Sequence, residues 1–347
     1  MVASILAELA LQKDYLEGKP LDSIYFGGGT PSLLDLKDME QLFDTIHQLH
    51  TVVAGAEITL EANPDDLTKE KLSDLKNYTP INRLSIGIQS FADADLTWMN
   101  RAHNARHARA SLDDALAAGF QDLTLDLIYG APTTPDVQWA ENLRLAFEYE
   151  VPHLSCYCLT VEEGTALGTF VRKGQQPPVD EERAARQFEY LVDATAQQGY
   201  EHYEISNFAR PGRYARHNSN YWSGESYLGV GPSAHSFNGQ SRQWNVANNA
   251  LYIKDIEKGI LPFEREVLTL EQRYNEYIMT ALRTMWGVDR VKIQAFGPDF
   301  MTHFEASMAP WLQQGSVMEV DGKYKLLTAG KLLADRIAVD LFLSVQD

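Results

Sequence analysis

The sequence predicts an α/β protein built on a parallel sheet, open or closed into a barrel, followed by a small α+β module. Three observations carry this. Short β-like runs at 23–26, 57–61, 83–89, 123–128 and 153–160 alternate with amphipathic helical stretches at 36–49, 105–118 and 137–149. Successive strand starts fall roughly 25–40 residues apart, the size of a βα repeat, and such alternation implies parallel pairing. From about Arg265 the pattern changes to helices and a hairpin.

The first strand runs straight into Gly27-Gly28-Gly29-Thr30-Pro31. A glycine turn lets main chain approach a ligand closely, because no Cβ stands in the way. Later strands finish in polar or small residues: Glu61, Gln89, Asp126 and then Gly130, and Cys158. In a β/α barrel such C-terminal strand ends form the mouth of the active site. Any one of them also fits an ordinary strand exit, since strands commonly end in turn residues. Polar ends and a triglycine in successive units favour a ligand site. The stretch 174–178, Gly-Gln-Gln-Pro-Pro, reads as an exposed connector.

Further on, Thr269-Leu-Glu-Gln272 has the spacing of a capping box, starting a helix that runs to about Met285 with Gly287 as its stop. Two more helical stretches follow. Residues 316–320 and 323–327 then flank Asp321-Gly322, a two-residue hairpin signal, and a last helix covers 329–343. Helices with a hairpin wing resemble a winged helix, so domains are expected at 1–262 and 263–347. Acidic residues outnumber basic ones in the second, which favours a packing or partner role over DNA reading.

The formal net charge of −18 argues against duplex DNA or an anionic membrane surface as a partner. It leaves room for a small anion in a local site. No apolar run approaches the ~20 residues that span a bilayer. The first residues lack a basic start and carry Glu8 inside their apolar stretch, which makes a poor signal peptide and cytoplasm the default. The two cysteines, Cys156 and Cys158, cannot build a disulfide framework and suit a reducing compartment. Two apart on a strand, they share a face and read as reduced, barrel-facing residues.

Several motifs occur in one order: Gly27-Gly-Gly-Thr-Pro31, Glu61-Ala-Asn-Pro64, Ser85-Ile-Gly-Ile-Gln-Ser-Phe91, Asn100-Arg-Ala-His103 and Asp126-Leu-Ile-Tyr-Gly-Ala-Pro132. Tyr203-Glu-Ile-Ser-Asn-Phe208, His217-Asn-Ser-Asn-Tyr-Trp222 and Gly229-Val-Gly-Pro-Ser-Ala-His-Ser236 complete the series. It resembles, over nearly the whole chain, the radical S-adenosylmethionine family of oxygen-independent coproporphyrinogen III oxidases. Within that family it is most similar to the HemW-like haem chaperones, which the His-Asn-x-x-Tyr-Trp element separates from the true oxidases. The resemblance implies a partial (β/α)6 barrel holding S-adenosylmethionine across its strand ends, with a winged-helix-like C-terminal domain. It implies that Gly28, Gly29 and Thr30 meet the methionyl end of the cofactor and that Glu61, Gln89 and Asp126 make polar contacts. Arg101 would take the cofactor carboxylate, Cys158 would contact it from the next strand, and His235 would close over it. The chemistry is suitable: bare carbonyls accept from an ammonium, and a guanidinium fork matches a carboxylate. Taken singly, Glu61 and Asp126 also fit capping carboxylates, and Arg101 fits a surface ion pair.

A lone histidine among Asn, Tyr and Trp is usually structural. Neutral imidazole is also a standard haem ligand, and aromatics can flank a flat macrocycle. The resemblance implies haem binding at His217. It therefore implies a haem carrier that delivers to a protein the sequence does not identify. The alternative is an enzyme, the radical decarboxylase of coproporphyrinogen III, and a third reading is a cofactor-free interaction module.

Family members carry Cys-x-x-x-Cys-x-x-Cys before the triglycine, where three thiolates hold a [4Fe-4S] cluster. This sequence has no such motif, and Met1 falls within what would be the next helix, so the expected barrel lacks its first strand as well. Cys156 and Cys158 do not match that ligation, so radical catalysis is not expected of the chain as it stands. The retained Glu61, Gln89, Arg101 and Asp126 favour an internal Met taken as the start, or a fragment, over evolved loss. Sequencing the DNA upstream of the Met1 codon checks this. An in-frame stop with no cysteine codons in that spacing would overturn it.

Overall fold

In the computed structural model, which describes residues 1–344, the strand runs join one large sheet. It contains β1 (Leu21–Phe26), β2 (Val52–Ala62), β3 (Arg83–Gln89), β4 (Asp122–Tyr129), β5 (His153–Cys158), β6 (Glu201–Glu204) and β7 (Asn207–Ala209). Their order is β1-β2-β3-β4-β5-β7-β6, curled as the half-barrel expected from the sequence. Pairing is parallel from β2 to β5 and antiparallel from β5 through β7 to β6.

The crossover helices start where the sequence offers a cap. Asp35, Thr68 and Asn104 accept from Asp38, Lys71 and His107 amides at the heads of Leu36–Leu49, Lys69–Tyr78 and Ala105–Ala117. Each such cap contributes about 1 kcal/mol. The helix Asp136–Glu148 begins instead after Pro135, without a side-chain cap.

Register decides what each sheet face carries. Glu61 lies beside Ser85, Ser85 beside Thr124, and Asp126 beside Ser155. Since side chains alternate along a strand, Glu61, Ser85, Asp126 and Ser155 share one face. Leu60, Leu84, Leu125 and Leu154 lie on the other, all fully buried. There Tyr129 packs its ring 5.6 Å from Trp139 and 6.3 Å from Phe188, on the helices Asp136–Glu148 and Glu181–Gln197. Each such buried side chain stabilises by roughly 1.5–3 kcal/mol.

The chain forms two compact units. One comprises Met1–Ile24, Asp35–Glu57 and Arg216–Asp347, the other Tyr25–Leu34 and Ile58–Ala215. The first holds two further sheets. β8 (His235–Phe237), β9 (Ser241–Asn245) and β10 (Phe263–Val267) form an antiparallel sheet in the order β10-β9-β8. Its partner in the winged-helix-like module contains β11 (Val288–Asp289), β12 (Val317–Val320) and β13 (Lys323–Leu326), ordered β11-β13-β12. Asp321 and Gly322 sit at φ 53° and 73°, the two positive values that the Asp-Gly signal predicted for a tight hairpin. The Thr269–Gln272 capping box forms as read.

Two details differ from the sequence reading. The helix Leu270–Leu282 stops before Gly287, whose role is close approach: a Cβ there would come 2.3 Å from the Tyr324 carbonyl. The last helical stretch divides into Thr328–Lys331 and Ala334–Leu341. Gly330, where a Cβ would come 2.0 Å from the Ser316 carbonyl, packs the first piece against the start of the hairpin. No helix of the described residues is long and apolar enough to cross a membrane.

The residue that argued against a signal peptide organises the first unit. Glu8 is fully buried in the helix Val2–Leu11. Its Oε1 accepts from Gln12 at 2.7 Å and Asn245 at 2.6 Å; its Oε2 accepts from the Gly231 amide at 2.8 Å and the Tyr252 hydroxyl at 2.5 Å. Removing the acceptor strands buried donors, at about 1–3 kcal/mol each. Glu8→Ala should therefore lower the thermal midpoint far more than Glu8→Gln, which keeps one accepting oxygen. Equal melts for the two variants would refute this account.

Candidate functional site

The polar sheet face opens at the strand ends, and in the second unit it gathers most of the residues singled out from the sequence. Gly28 and Gly29 turn the chain at φ 71° and 62°, values that favour glycine, with open space where a Cβ would go. Gly27 is different. A Cβ there would lie 2.5 Å from the Tyr25 ring and 3.0 Å from the Glu61 carboxyl carbon. Glu61 accepts from the Tyr25 hydroxyl at 2.7 Å and from the Gly28 amide at 3.1 Å, which fastens the glycine turn to β2. Burial first, and then the Glu61 charge, raise the Tyr25 hydroxyl well above its ordinary range. Thr30 follows in the same loop at the head of the short 3-10 turn Pro31–Leu33, without a side-chain capping bond.

At the end of β3 the register shifts between Ile86 and Gln89, and Gln89 takes φ 63°. A bulge of this kind re-aims a side chain, and non-glycine residues in this region concentrate at functional sites. The Gln89 amide and the Arg101 guanidinium both reach over Gly87: a Cβ there would meet Gln89 Nε2 at 2.9 Å and Arg101 Nη2 at 3.4 Å. Arg101 donates to Asn63 Oδ1 at 2.6 Å, and no carboxylate among the described residues pairs with it. The surface ion pair considered for it is thus not formed. His103, of the same motif, is buried and donates to the Ile88 carbonyl at 3.1 Å, pinning the bulged strand end.

Asp126 projects from β4 onto the same face. Ser85 Oγ donates to its two oxygens at 3.2 and 3.3 Å. Burial, with Glu61 nearby adding to it, pushes its carboxyl up to about 7 against the lowering effect of the Ser85 and Ser155 hydroxyls. The side chain keeps some solvent contact, and water at that edge works against the rise. Tyr157, exposed at the end of β5, lies within electrostatic reach of Asp126 and Glu61.

Gly28, Glu61, Gln89, Arg101 and Asp126 are therefore brought together. Cys158 is not with them by its side chain. It pairs in register with Tyr129, and its Sγ lies 3.4 Å from the position of a Gly130 Cβ, close to Ala184. Cys156, beside Leu127, is buried on the same helix-facing side. The barrel-facing reading of both thiols is thus corrected: pleat alternation puts Ser155 and Tyr157 on the barrel face and both cysteines behind it. Only main chain is left at Cys158 to face a ligand there.

His235 and His217 belong to the first unit. His235 is exposed on β8, opposite Trp244 on β9, with ring centroids 6.3 Å apart and nearly parallel. His217 sits in the helix Arg216–Ser223. Glu57 accepts from the Arg216 and His217 amides, both at 2.9 Å, satisfying the open helix start. Asn220 Nδ2 donates to Asp22 at 2.8 and 3.1 Å, and the Arg216 guanidinium donates to the Asp22 and Gly55 carbonyls at 3.2 Å. His217 Nδ1 shares a hydrogen bond of 3.3 Å with Ser23 Oγ. Tyr221 and Trp222 meet edge to face at 5.3 Å.

Sequence reasoning missed Tyr25, Asn63, Ser85 and Tyr157 around the strand-end site, and Ser23, Asp22 and Glu57 around the helix. Of these, Asn63 and Ser85 lay inside recognised motifs. The others act through partners distant in sequence, for which no local signal exists.

Residues 4–146 match the family model of the Radical SAM superfamily. The heme chaperone HemW of Mycobacterium tuberculosis is 33% identical over 339 residues, 96% of this chain and 84% of that protein. HemW of Bacillus subtilis is 32% identical over 92% of this chain and 85% of its own length, and HemW of Escherichia coli 30% over 99% and 89%. The solved structure of coproporphyrinogen III oxidase, HemN, from Escherichia coli superposes with a TM-score of 0.84 at 21% identity, covering 98% of this chain and 82% of that one, a likeness of fold. Matched along nearly its whole length by these relatives, the chain belongs to the HemW family of the Radical SAM superfamily.

Proposed function

We propose that this chain is a haem carrier that binds haem through His217 and passes it to a recipient protein. The observation that carries the reading is the fastening of His217. Its Nδ1 shares a hydrogen bond with Ser23 and its helix is held by Glu57 and Asp22, so the imidazole is held in one orientation. A ligand histidine is commonly oriented in this way by a bond to its other nitrogen.

The strand-end site suits S-adenosylmethionine. Arg101, without a carboxylate partner, has donors for the cofactor carboxylate. The glycine-turn carbonyls, Glu61 and Asp126 offer acceptors for its ammonium and ribose hydroxyls, and Gln89 can both donate and accept. When bound beside a reduced cluster, the cofactor supplies a carbon radical. The residues of this chain hold and orient it. The two cysteines do not fit the cluster: Cys156 is buried behind the sheet, and Cys158 stands beside it on the same side. A second reading, oxidation of coproporphyrinogen III, is the activity named for HemN, whose fold this chain shares. Turnover of that substrate by an N-terminally extended form carrying the cluster cysteines would support it over the carrier.

Adding haem to the protein and to His217→Ala tests the first reading. The expected result is a Soret band shifted in the variant and an affinity lower by tenfold or more, on the order of 1.4 kcal/mol. Identical spectra and affinities would remove His217 as the ligand. For the cofactor site, Gly87→Ala should push aside the Gln89 and Arg101 side chains without straining the backbone. We expect about tenfold weaker S-adenosylmethionine binding by calorimetry and a nearly unchanged melt; undiminished binding would place the cofactor elsewhere. Asp126 gives a pH signature. Its carboxyl rises from 3.8 to about 7 on folding, so the folded chain retains a proton that the unfolded chain has released. Stability due to this group falls as pH rises through that window. Asp126→Asn should therefore gain stability relative to the parent between pH 4 and pH 8 in denaturant titrations, and a constant difference would refute the shift.

A further inference from the structure

We propose that the porphyrin seat extends beyond the motif helix along an aromatic wall of Tyr221, Tyr227 and Phe237, with Lys19 at its edge taking a propionate carboxylate. The identity of the occupant rests on the haem reading of His217; the wall itself rests on separate geometry.

His217 and Tyr221 are four residues apart on the helix Arg216–Ser223, so both project from one helix face. The Tyr221 ring lies 5.6 Å from Tyr227, and the Tyr227 ring 6.4 Å from Phe237. Main chain keeps the last two side by side: Tyr227 and Phe237 exchange amide-to-carbonyl bonds of 2.8 and 3.0 Å, closing an isolated antiparallel bridge at the edge of β8. Tyr221 is 48% exposed, and Tyr227 and Phe237 are half-buried. Aromatic rings in line with the helix face of His217 are suited to stack on a flat, largely apolar macrocycle.

Charge fixes one end of the occupant. Titratable groups within electrostatic reach of Tyr227 include Tyr221, Glu276, Arg242 and Tyr15. Arg242 is taken up by Glu276 at 3.4 Å and Glu266 at 3.7 Å. Lys19 is exposed and donates to Ser226 Oγ at 3.2 Å, next to Tyr227 in the chain, and no carboxylate among the described residues pairs with it. A propionate on a porphyrin lying along the wall would complete that ammonium.

Iron-free protoporphyrin IX separates the wall from the histidine, because it has no axial coordination. Fluorescence titration with it should show about tenfold weaker binding for Tyr221→Ala and for Tyr227→Leu, with His217→Ala within twofold of the parent. Tyr221→Ala alters an exposed position, and a thermal melt identifies any variant that fails to fold. Lys19→Glu should weaken haem about fivefold while leaving haem dimethyl ester, which has no propionate charge, unaffected. No binding of protoporphyrin IX by the parent, or undiminished binding by both tyrosine variants, would overturn the wall. An equal loss for haem and its ester in Lys19→Glu would overturn the propionate contact. If the tyrosine variants lose protoporphyrin IX while His217→Ala keeps its haem spectrum, the wall stands and the histidine reading fails.

Discussion

Parallel strands covered by helices are ordinarily apolar on both faces, and β2 to β5 keep to that on one face only. Leu60, Leu84, Leu125 and Leu154 seal the helix-facing side. The strict alternation of the pleat then forces Glu61, Ser85, Asp126 and Ser155 together on the other. A slip of one residue in β2 or β4 would bury its carboxylate among leucines and expose a leucine at the mouth. The apolar face thus sets the register, and the register builds the polar site.

That site has a cost in stability. Deeper on the same face, Arg83 donates to Thr124 Oγ1 at 2.7 Å, and the fully buried His153 bonds Tyr203 through Nε2 at 2.7 Å. His153 Nδ1 and Thr59 Oγ1 are buried without a hydrogen-bond partner among the described residues. Burial first, and then Arg83, hold the His153 imidazole neutral, far below its usual pKa. An apolar barrel interior would avoid these penalties. Retaining polar groups whose bonds are incomplete makes physical sense where a polar ligand lies above them, since binding to the folded state alone returns stability.

Much of this was legible in the sequence, for a physical reason. Strand ends, caps and the Asp321-Gly322 turn are local, set by residues within a few positions, and they lie within a few residues of where they were expected. Glu61, Gln89 and Asp126 could be found because strand ends in successive βα units converge by topology alone, whereas Arg101, in a loop beyond β3, was reached only through the family resemblance. What failed was non-local. The direction of Cys156 and Cys158 depends on which strand parity the neighbouring leucines claim, so knowing that they share a face did not say which face. The role of Glu8 depends on Gly231, Asn245 and Tyr252, more than 220 residues away. Within the His217 motif it is Asn220, at a variable position, and not Asn218, that ties the helix to Asp22.

The two candidate sites differ in how they would hold a ligand, and the difference follows from their walls. The strand-end site is built on a rigid sheet, with a carboxylate fixed by a tyrosine and a backbone amide, a bulged strand and an arginine held by Asn63. Groups so fixed lose little freedom on binding, which favours a resident cofactor. His217 stands on a helix of only eight residues with no fully buried side chain of its own, kept in place by bonds at its start and along one flank. A carrier must let go of what it holds. If His217 is the haem ligand, local opening of this short helix would release the porphyrin to a recipient.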